Sequence, residues 1–235
     1  MSSRICSTIG PSGFFDRISF EGAVGLLGAG ASLVFQHVSG SVVPLLGNLI
    51  QPTDVAPTLA EVAAFIGRVT TIYVRSLGWR RSDAGRVTII VGGESSSGPQ
   101  AYELAPRLGD QGLVEFVPEP ITLGDGIARF IGDRTGEAQD LYRELAARDE
   151  PGASRRRAAL NVIRRFIDDK EITSIGGDLQ IGYTAAGRFR RVASVTPGGQ
   201  GPSAPARYQL NSIDLDKLGP MVGHCRVGIN AVAVI

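Results

Sequence analysis

Lysine is nearly absent from this chain: Lys170 and Lys217 are the only two, and every other basic side chain is arginine. Arginine keeps its proton at any physiological pH and cannot relay one, so chemistry that needs a lysine base has almost nowhere to sit. Cysteine is as scarce. With only Cys6 and Cys225 there is no disulfide framework, no secretory leader is read, and a reducing cytoplasm is the expected location. The only imidazoles are His37 and His224; a four-ligand zinc site would consume both of them and both cysteines with no pairing motif, so no metal and no other cofactor is expected. Charge of one sign is missing too. A formal net charge of +1 with 20% charged residues removes the generic electrostatic drive toward nucleic acid. The most apolar stretch, Gly22 to Phe35, spans about 14 residues where a bilayer crossing needs about 20. Neither nucleic acid nor membrane is an expected partner.

What is present suits one large domain with its own core: 235 residues, 43% of them hydrophobic. Phe14 to Phe20 alternates with a period near two and reads as a strand, with Gly22 as the turn into a second, buried strand. From Gly30 the pattern is helical to about Ile50, and Pro44 is expected to kink or split it. Pro57 and Thr58 start a second helix whose apolar positions Leu59, Val62, Ala63, Ile66, Val69, Ile72, Tyr73 and Leu77 recur at three and four residues, and Gly78 closes it. Gly85 to Gly93 (GRVTIIVGG) is a continuous β-branched run that reads as a strand buried on both faces, Glu94 to Pro99 (ESSSGP) as turn chemistry, and Gln100 to Leu104 as the returning strand. Leu113 to Val117 is one more short strand. Helices are expected over 136–147 and 153–167, the second with Arg155, Arg156, Arg157, Arg164 and Arg165 outside its apolar stripe. No aromatic residues interleave with those arginines, so a solvated face explains them better than an anion site. Strands at 178–184 and 188–195 flank a tight turn at Ala186 and Gly187, a Pro/Gly/Ser-rich stretch fills 196–205, and RVGINAVAVI at the end is a further strand. Paired strands separated by paired helices do not alternate as a doubly wound sheet would. They predict an α+β sandwich of two mainly antiparallel sheets, face to face, with a helix pair outside each.

Several constellations carry no chemistry on inspection. Gly25, Gly28 and Gly30 suggest a dinucleotide loop, but Leu33 stands where GxGxxG started at Gly28 needs glycine or alanine, and close packing of a helix start against a strand accounts for the glycines. Ser95, Ser96 and Ser97 lie in a hairpin turn without the strand-to-helix geometry of a nucleophile elbow. With so little histidine and lysine, the base most readily at hand is the protein's own α-amino group, whose pKa near 8 suits neutral pH. Ser2 follows Met1, and removal of methionine would leave a hydroxyl and a free amine on one residue. Cys6 would need cleavage after Ile5.

From Phe14 to Val192 the chain resembles the proteasome-type N-terminal-nucleophile hydrolases. GAVGLLGAGAS (22–32) resembles that family's strand and small-residue turn before the first long helix, VTIIVGGESSSGPQAYEL (87–104) its hairpin with a tyrosine on the second strand, and FIGDRTGEAQDLYREL (130–145) the turn that opens its third helix, with Gly132 and Asp133 in the first two turn positions. EITSIGGDLQI (171–181) followed by GRFRRV (187–192) resembles its acidic-x-x-Ser-Gly-Gly turn and last hairpin. The matches occur in the family's order. The resemblance implies a four-layer αββα sandwich over residues 1–195, with 196–235 as a linker and C-terminal extension, and self-assembly into a homo-oligomer.

For the site the resemblance implies a nucleophile on the first strand, a carboxylate, a lysine, and an acidic residue and serine that support the amino terminus. In one alignment Ser2 is the nucleophile, Asp16 the carboxylate and Arg17 stands near the lysine position, but the spacing is too short for two full strands. In the other, Ser3-Arg4 follows the carboxylate, Arg17 to Phe20 carries the lysine position, and the first strand and its nucleophile are missing. Glu171 and Ser174 match the supporting pair in both, with Ile175 interrupting Ser-Gly-Gly. The first alignment makes the chain a hydrolase or peptidase of peptide or amide substrates, with backbone N–H groups near Gly28 to Gly30 holding the oxyanion. The second makes it an inactive structural or binding subunit of a proteasome-like assembly.

Overall fold

The computed structural model describes residues 2–9, 15–47, 49, 56–77, 86–95, 97–124, 127–148, 153–172, 174–175, 181–185, 188–197, 206–210, 213–214, 221–222, 225–226 and 231–233, with side-chain detail at 24–47, 49, 56–77, 86–95, 97–124, 127–147, 157–172, 174–175 and 181–183. Two units divide the chain: Met1–Ile127 with Thr184–Arg190, and Ala128–Tyr183 with Arg191–Ile235.

The first unit contains β1 (Ser2–Ile9), β2 (Phe15–Gly30), α1 (Ser32–Gly47), α2 (Leu59–Ser76), β3 (Val87–Ser95), β4 (Gly98–Leu108) and β5 (Val114–Pro120). The strands form one antiparallel sheet in chain order. Gly22 is not a turn. It lies inside β2 opposite Ser3, and β2 pairs with β1 up to Ala23 and with β3 from Val24 onward. Gly22 lies next to the point where a continuous strand changes partner, between Ala23 and Val24. The hairpin judged too short for two full strands is also present, because β1 takes eight residues and β2 sets off from Phe15.

Both helices pack on one side of this sheet. In β3 the alternate residues Val87, Ile89 and Val91 are buried while Thr88 and Ile90 are half-exposed, the period-two pattern of a strand with one covered face. Val34, Val38, Val42 and Leu46 of α1 and Val62, Ala63, Ile66 and Val74 of α2 close over them, with Leu104, Val114 and Phe116 completing the core. Pro44 does not split α1. It stands three residues from the helix end, where its missing N–H removes a single intrahelical bond, and the helix runs on to Gly47. Helix α2 begins on a capping box: Thr58 Oγ1 accepts from the Glu61 N–H at 3.2 Å and Glu61 Oε2 accepts from the Thr58 N–H at 2.8 Å.

Helix α2 also closes the β5 edge. The Phe116 N–H donates to Thr71 Oγ1 at 3.0 Å, Arg75 Nε donates to the Val114 carbonyl at 3.0 Å, and Arg75 Nη2 pairs with Glu115 Oε1 at 3.0 Å. The next positions in the same period-two series are Pro118 and Pro120, which have no N–H to offer. An edge that could template a stray strand is thereby covered. Gly67 lets the helix come this close, since a Cβ there would lie 2.3 Å from the Phe116 carbonyl oxygen.

In the second unit, α3 (Thr135–Arg148) and α4 (Ala153–Asp168) form a helix pair. Ala138 and Tyr142 pack with Ala158, Val162, Phe166 and Ile172, and Phe130 meets Tyr142 edge-on with centroids 5.9 Å apart. Arg157 and Arg165 are exposed. A second sheet has the order β12-β7-β8-β9, with β6 also on β7; these are β6 (Ile181–Ala185), β7 (Arg188–Pro197), β8 (Ala206–Leu210), β9 (Ile213–Asp214) and β12 (Ala231–Ala233). β6 and β7 extend across the division between the units. The expected C-terminal strand is β12, and it runs parallel to β7. A two-stranded ribbon joins β10 (Met221–Val222) to β11 (Cys225–Arg226). No helix among the described residues is long and apolar enough to cross a membrane.

Candidate functional site

Ser2 opens β1 and stands opposite Ala23, with Ser3 opposite Gly22 and Arg4 opposite Glu21. Arg17 stands opposite Thr8, and Asp16 is its neighbour on β2. Strand residues advance about 3.4 Å each, so the six positions between Ser2 and Thr8 set Arg17 and Asp16 roughly 20 Å from Ser2 along the ladder. Both site residues of the first alignment are thus in the β1–β2 hairpin with the serine, at its opposite end.

Glu171 and Ser174 belong to the second unit. They follow α4 on a segment anchored by Ile172, which is buried in the helix-pair core. Asp169 Oδ1 accepts from the Glu171 N–H at 3.0 Å and the Ile172 N–H donates to the Asp169 carbonyl at 3.0 Å, a turn that leaves Glu171 and Ser174 exposed. Beside them an open groove of about 490 Å³ is lined by Asn161, Arg164, Arg165, Asp168 and Asp169. Its lining mixes both signs of charge and includes no nucleophile.

Gly28 and Gly30 do not form an oxyanion turn. They pair with Ile89 and Val87 in the β2–β3 ladder, and the next free donor, the Ala31 N–H, is given to the Arg86 carbonyl at 2.7 Å. They also lie five to seven residues along β2 from Ala23, roughly 17–24 Å from the position opposite Ser2. The packing explanation holds instead: a Cβ on Gly28 would meet the Phe35 ring at 2.2 Å, and Gly30 has a φ of +99° with the Arg86 carbonyl oxygen 1.8 Å from where its Cβ would be.

The serines of the β3–β4 hairpin are turn residues, as expected. Ser95 Oγ donates to the Gly98 carbonyl at 3.0 Å and accepts from the Ser97 N–H at 3.2 Å, while Ser97 Oγ accepts from Gln100 Nε2 at 3.2 Å. Ser96 lies outside the described residues, as does His224. His37 is exposed on α1 and stacks on Tyr73 with ring centroids 5.2 Å apart. Among the described residues no three of His, Cys, Asp and Glu gather as metal ligands would. Among the described residues the one carboxylate held clearly below its ordinary range is Glu61, because the Thr58 N–H and then the Thr58 hydroxyl donate to it. It caps a helix and faces no site.

The sequence reading passed over Glu21, the acidic residue closest in register to Ser2. Treating Gly22 as a turn cut the strand beside it and hid the pairing; the signal was the uninterrupted extended run from Phe15 to Gly30.

No family model matches the chain, and no curated protein matches it. Among solved structures, it is similar to Anbu from Hyphomicrobium sp. strain MC1, at 18% sequence identity and a TM-score of 0.46, covering 72% of this chain and 68% of that one.

Proposed function

We propose that the chain is a distant N-terminal-nucleophile hydrolase homologue that cleaves amide bonds once Met1 is removed. The observation that carries this reading is a strand beginning at Ser2 and paired antiparallel with β2, which supplies the nucleophile strand that one of the two alignments lacked. Ser2 Oγ attacks the amide carbonyl carbon and its own α-amine takes the hydroxyl proton. The same nitrogen then protonates the leaving amine as the C–N bond breaks, and water hydrolyses the ester. Residues 1–195 would form the αββα domain, with 196–235 an extension that adds β8, β9 and β12. Glu171 and Ser174 are proposed to support the amino terminus, and the whole to self-assemble as the resemblance implies.

The distance between Ser2 and Asp16 with Arg17 favours the second reading, an inactive structural subunit. Cleavage of fluorogenic peptide amides by the purified chain, abolished in Ser2→Ala, supports the hydrolase. Retention of Met1 in the intact mass removes the free Ser2 amine and with it this mechanism.

A further inference from the structure

The outward side of α2 carries a pattern that the fold leaves unused. Leu59, Val62, Ala63, Ile66 and Val74 turn one side of this helix to the core. With 3.6 residues to the turn, Glu61, Phe65, Arg68 and Ile72 line the opposite side. Glu61 and Arg68 are exposed, Ile72 is 69% exposed, and the Arg68 guanidinium lies over the Phe65 ring, 5.7 Å from its centroid. Beside it α1 has no lysine, arginine, aspartate or glutamate along its whole length and leaves Leu33 and Leu45 exposed. Aromatic and arginine side chains with few other charges are the composition of an interface core.

The two charges of the stripe cannot satisfy each other within one chain. Glu61 and Arg68 are two helical turns apart, about 10.5 Å along the axis. The positions three and four residues on either side of Arg68 are Ala64, Phe65, Thr71 and Ile72, and among the described residues Arg68 has no ion pair. Both Thr58 donors to Glu61 fall on Oε2, which leaves Oε1 for a guanidinium. Laid antiparallel on a second copy of itself, with a two-fold axis between Ala64 and Phe65, α2 sets each Arg68 opposite the partner's Glu61 and brings the two Phe65 rings together at the centre. We propose that this face is a two-fold interface between copies of the chain, held by Phe65 and Ile72 and by the Glu61–Arg68 pair made twice across it. A self-complementary contact of this kind needs no matching patch elsewhere on the molecule. It rests on the self-assembly in the proposed function and not on the chemistry of Ser2.

The test sediments the full chain at micromolar concentration, with circular dichroism to verify folding. Wild type is expected as a dimer or as a larger assembly built on it. Arg68→Glu and Glu61→Arg each set like charges opposite one another at both contacts, and each should raise the dissociation constant about a hundredfold, roughly tenfold per contact. Mixed in equal amounts, the two variants should regain wild-type association, because opposite charges then meet at both contacts. Glu61→Arg also breaks half of the capping box, a loss that mixing cannot repair, so recovery in the mixture reads the interface alone. Ile72→Asp should weaken association in every combination. A wild-type monomer overturns the interface and the proposed self-assembly with it, and leaves Ser2 to the peptide assay. An assembly indifferent to Arg68→Glu and Ile72→Asp overturns this face and leaves self-assembly to another. Single variants that dissociate and stay apart when mixed overturn the two-fold pairing.

Discussion

Replacing glycine by alanine in two helices of the same unit should move stability in opposite directions. Within a helix interior alanine is favoured over glycine by about 1 kcal/mol from backbone entropy alone. At Gly40 in α1 a new Cβ meets nothing within 4 Å, so Gly40→Ala should raise stability by about that amount. At Gly67 the same Cβ would sit 2.3 Å from the Phe116 carbonyl oxygen and 3.3 Å from its carbon, well inside contact distance, and the obstacle is backbone that no rotamer change can clear. Relief requires α2 and β5 to separate by roughly 1 Å. That movement would stretch the Phe116 N–H to Thr71 Oγ1 and Arg75 Nε to Val114 carbonyl bonds from 3.0 Å past the limit of a useful hydrogen bond. Overpacking costs about 1–3 kcal/mol and the two weakened bonds about 1 kcal/mol each. Against a gain of about 1 kcal/mol, Gly67→Ala should therefore lose about 2–4 kcal/mol. Urea titration followed by circular dichroism separates the two outcomes, since the midpoints should shift apart with unchanged slope. A Gly67→Ala chain as stable as Gly40→Ala would refute the close approach of α2 to β5.

Thr71→Val keeps the shape of the side chain and strands the Phe116 N–H, so a loss of about 1–2 kcal/mol is expected in the same titration; an unchanged midpoint would mean that this edge is not held by α2. Thr58→Ala removes the first half of the capping box and should lower stability by about 1 kcal/mol. The second half depends on pH: Glu61 is held below its ordinary value of 4.5 by the Thr58 donors, so its contribution is complete above that value and disappears as pH falls through the lower folded-state pKa. Melting curves of wild type and Glu61→Gln should differ at pH 7 and converge under acid; a gap that persists at the lowest pH would contradict the cap.

The helices were legible because their signals are local. Pro57 and Thr58 stand at the start of a run with helical period, and in the structure Thr58 is the N-cap, bound reciprocally to Glu61. β3 was legible as a strand from its β-branched run, but the expectation that it is buried on both faces fails, because only alternate residues are covered. Gly67 was not. Nothing in FIGRV says whether the glycine weakens the helix or lets it lie against a strand 49 positions later, and only the Phe116 carbonyl decides it. The prolines of β5 were similarly mute, because Pro118 and Pro120 look like strand breakers until the edge they face is known.

The candidate site fails to be legible at a finer scale, that of register. Composition and the scarcity of lysine could single out Ser2, and the family resemblance could propose Asp16 and Arg17 for it in one alignment, but position along a hairpin is not distance across it. The hairpin closes with Ile9 opposite Phe15, and the ladder then shifts register between Ile9 and Thr8, between Ser7 and Cys6 and between Cys6 and Arg4 before it settles with Arg4 opposite Glu21 and Ser2 opposite Ala23, so the residue that meets Ser2 is fixed by those shifts as well as by where the hairpin closes. Asp16, near the closed end, is then far from the start of β1, and Glu21, further along the sequence, is near it. A one-residue slip would turn the whole set to the other face. Which residue stands opposite Ser2 therefore depends on register shifts at Thr8/Ile9, Cys6/Ser7 and Arg4/Cys6, and spacing along the chain reveals none of them.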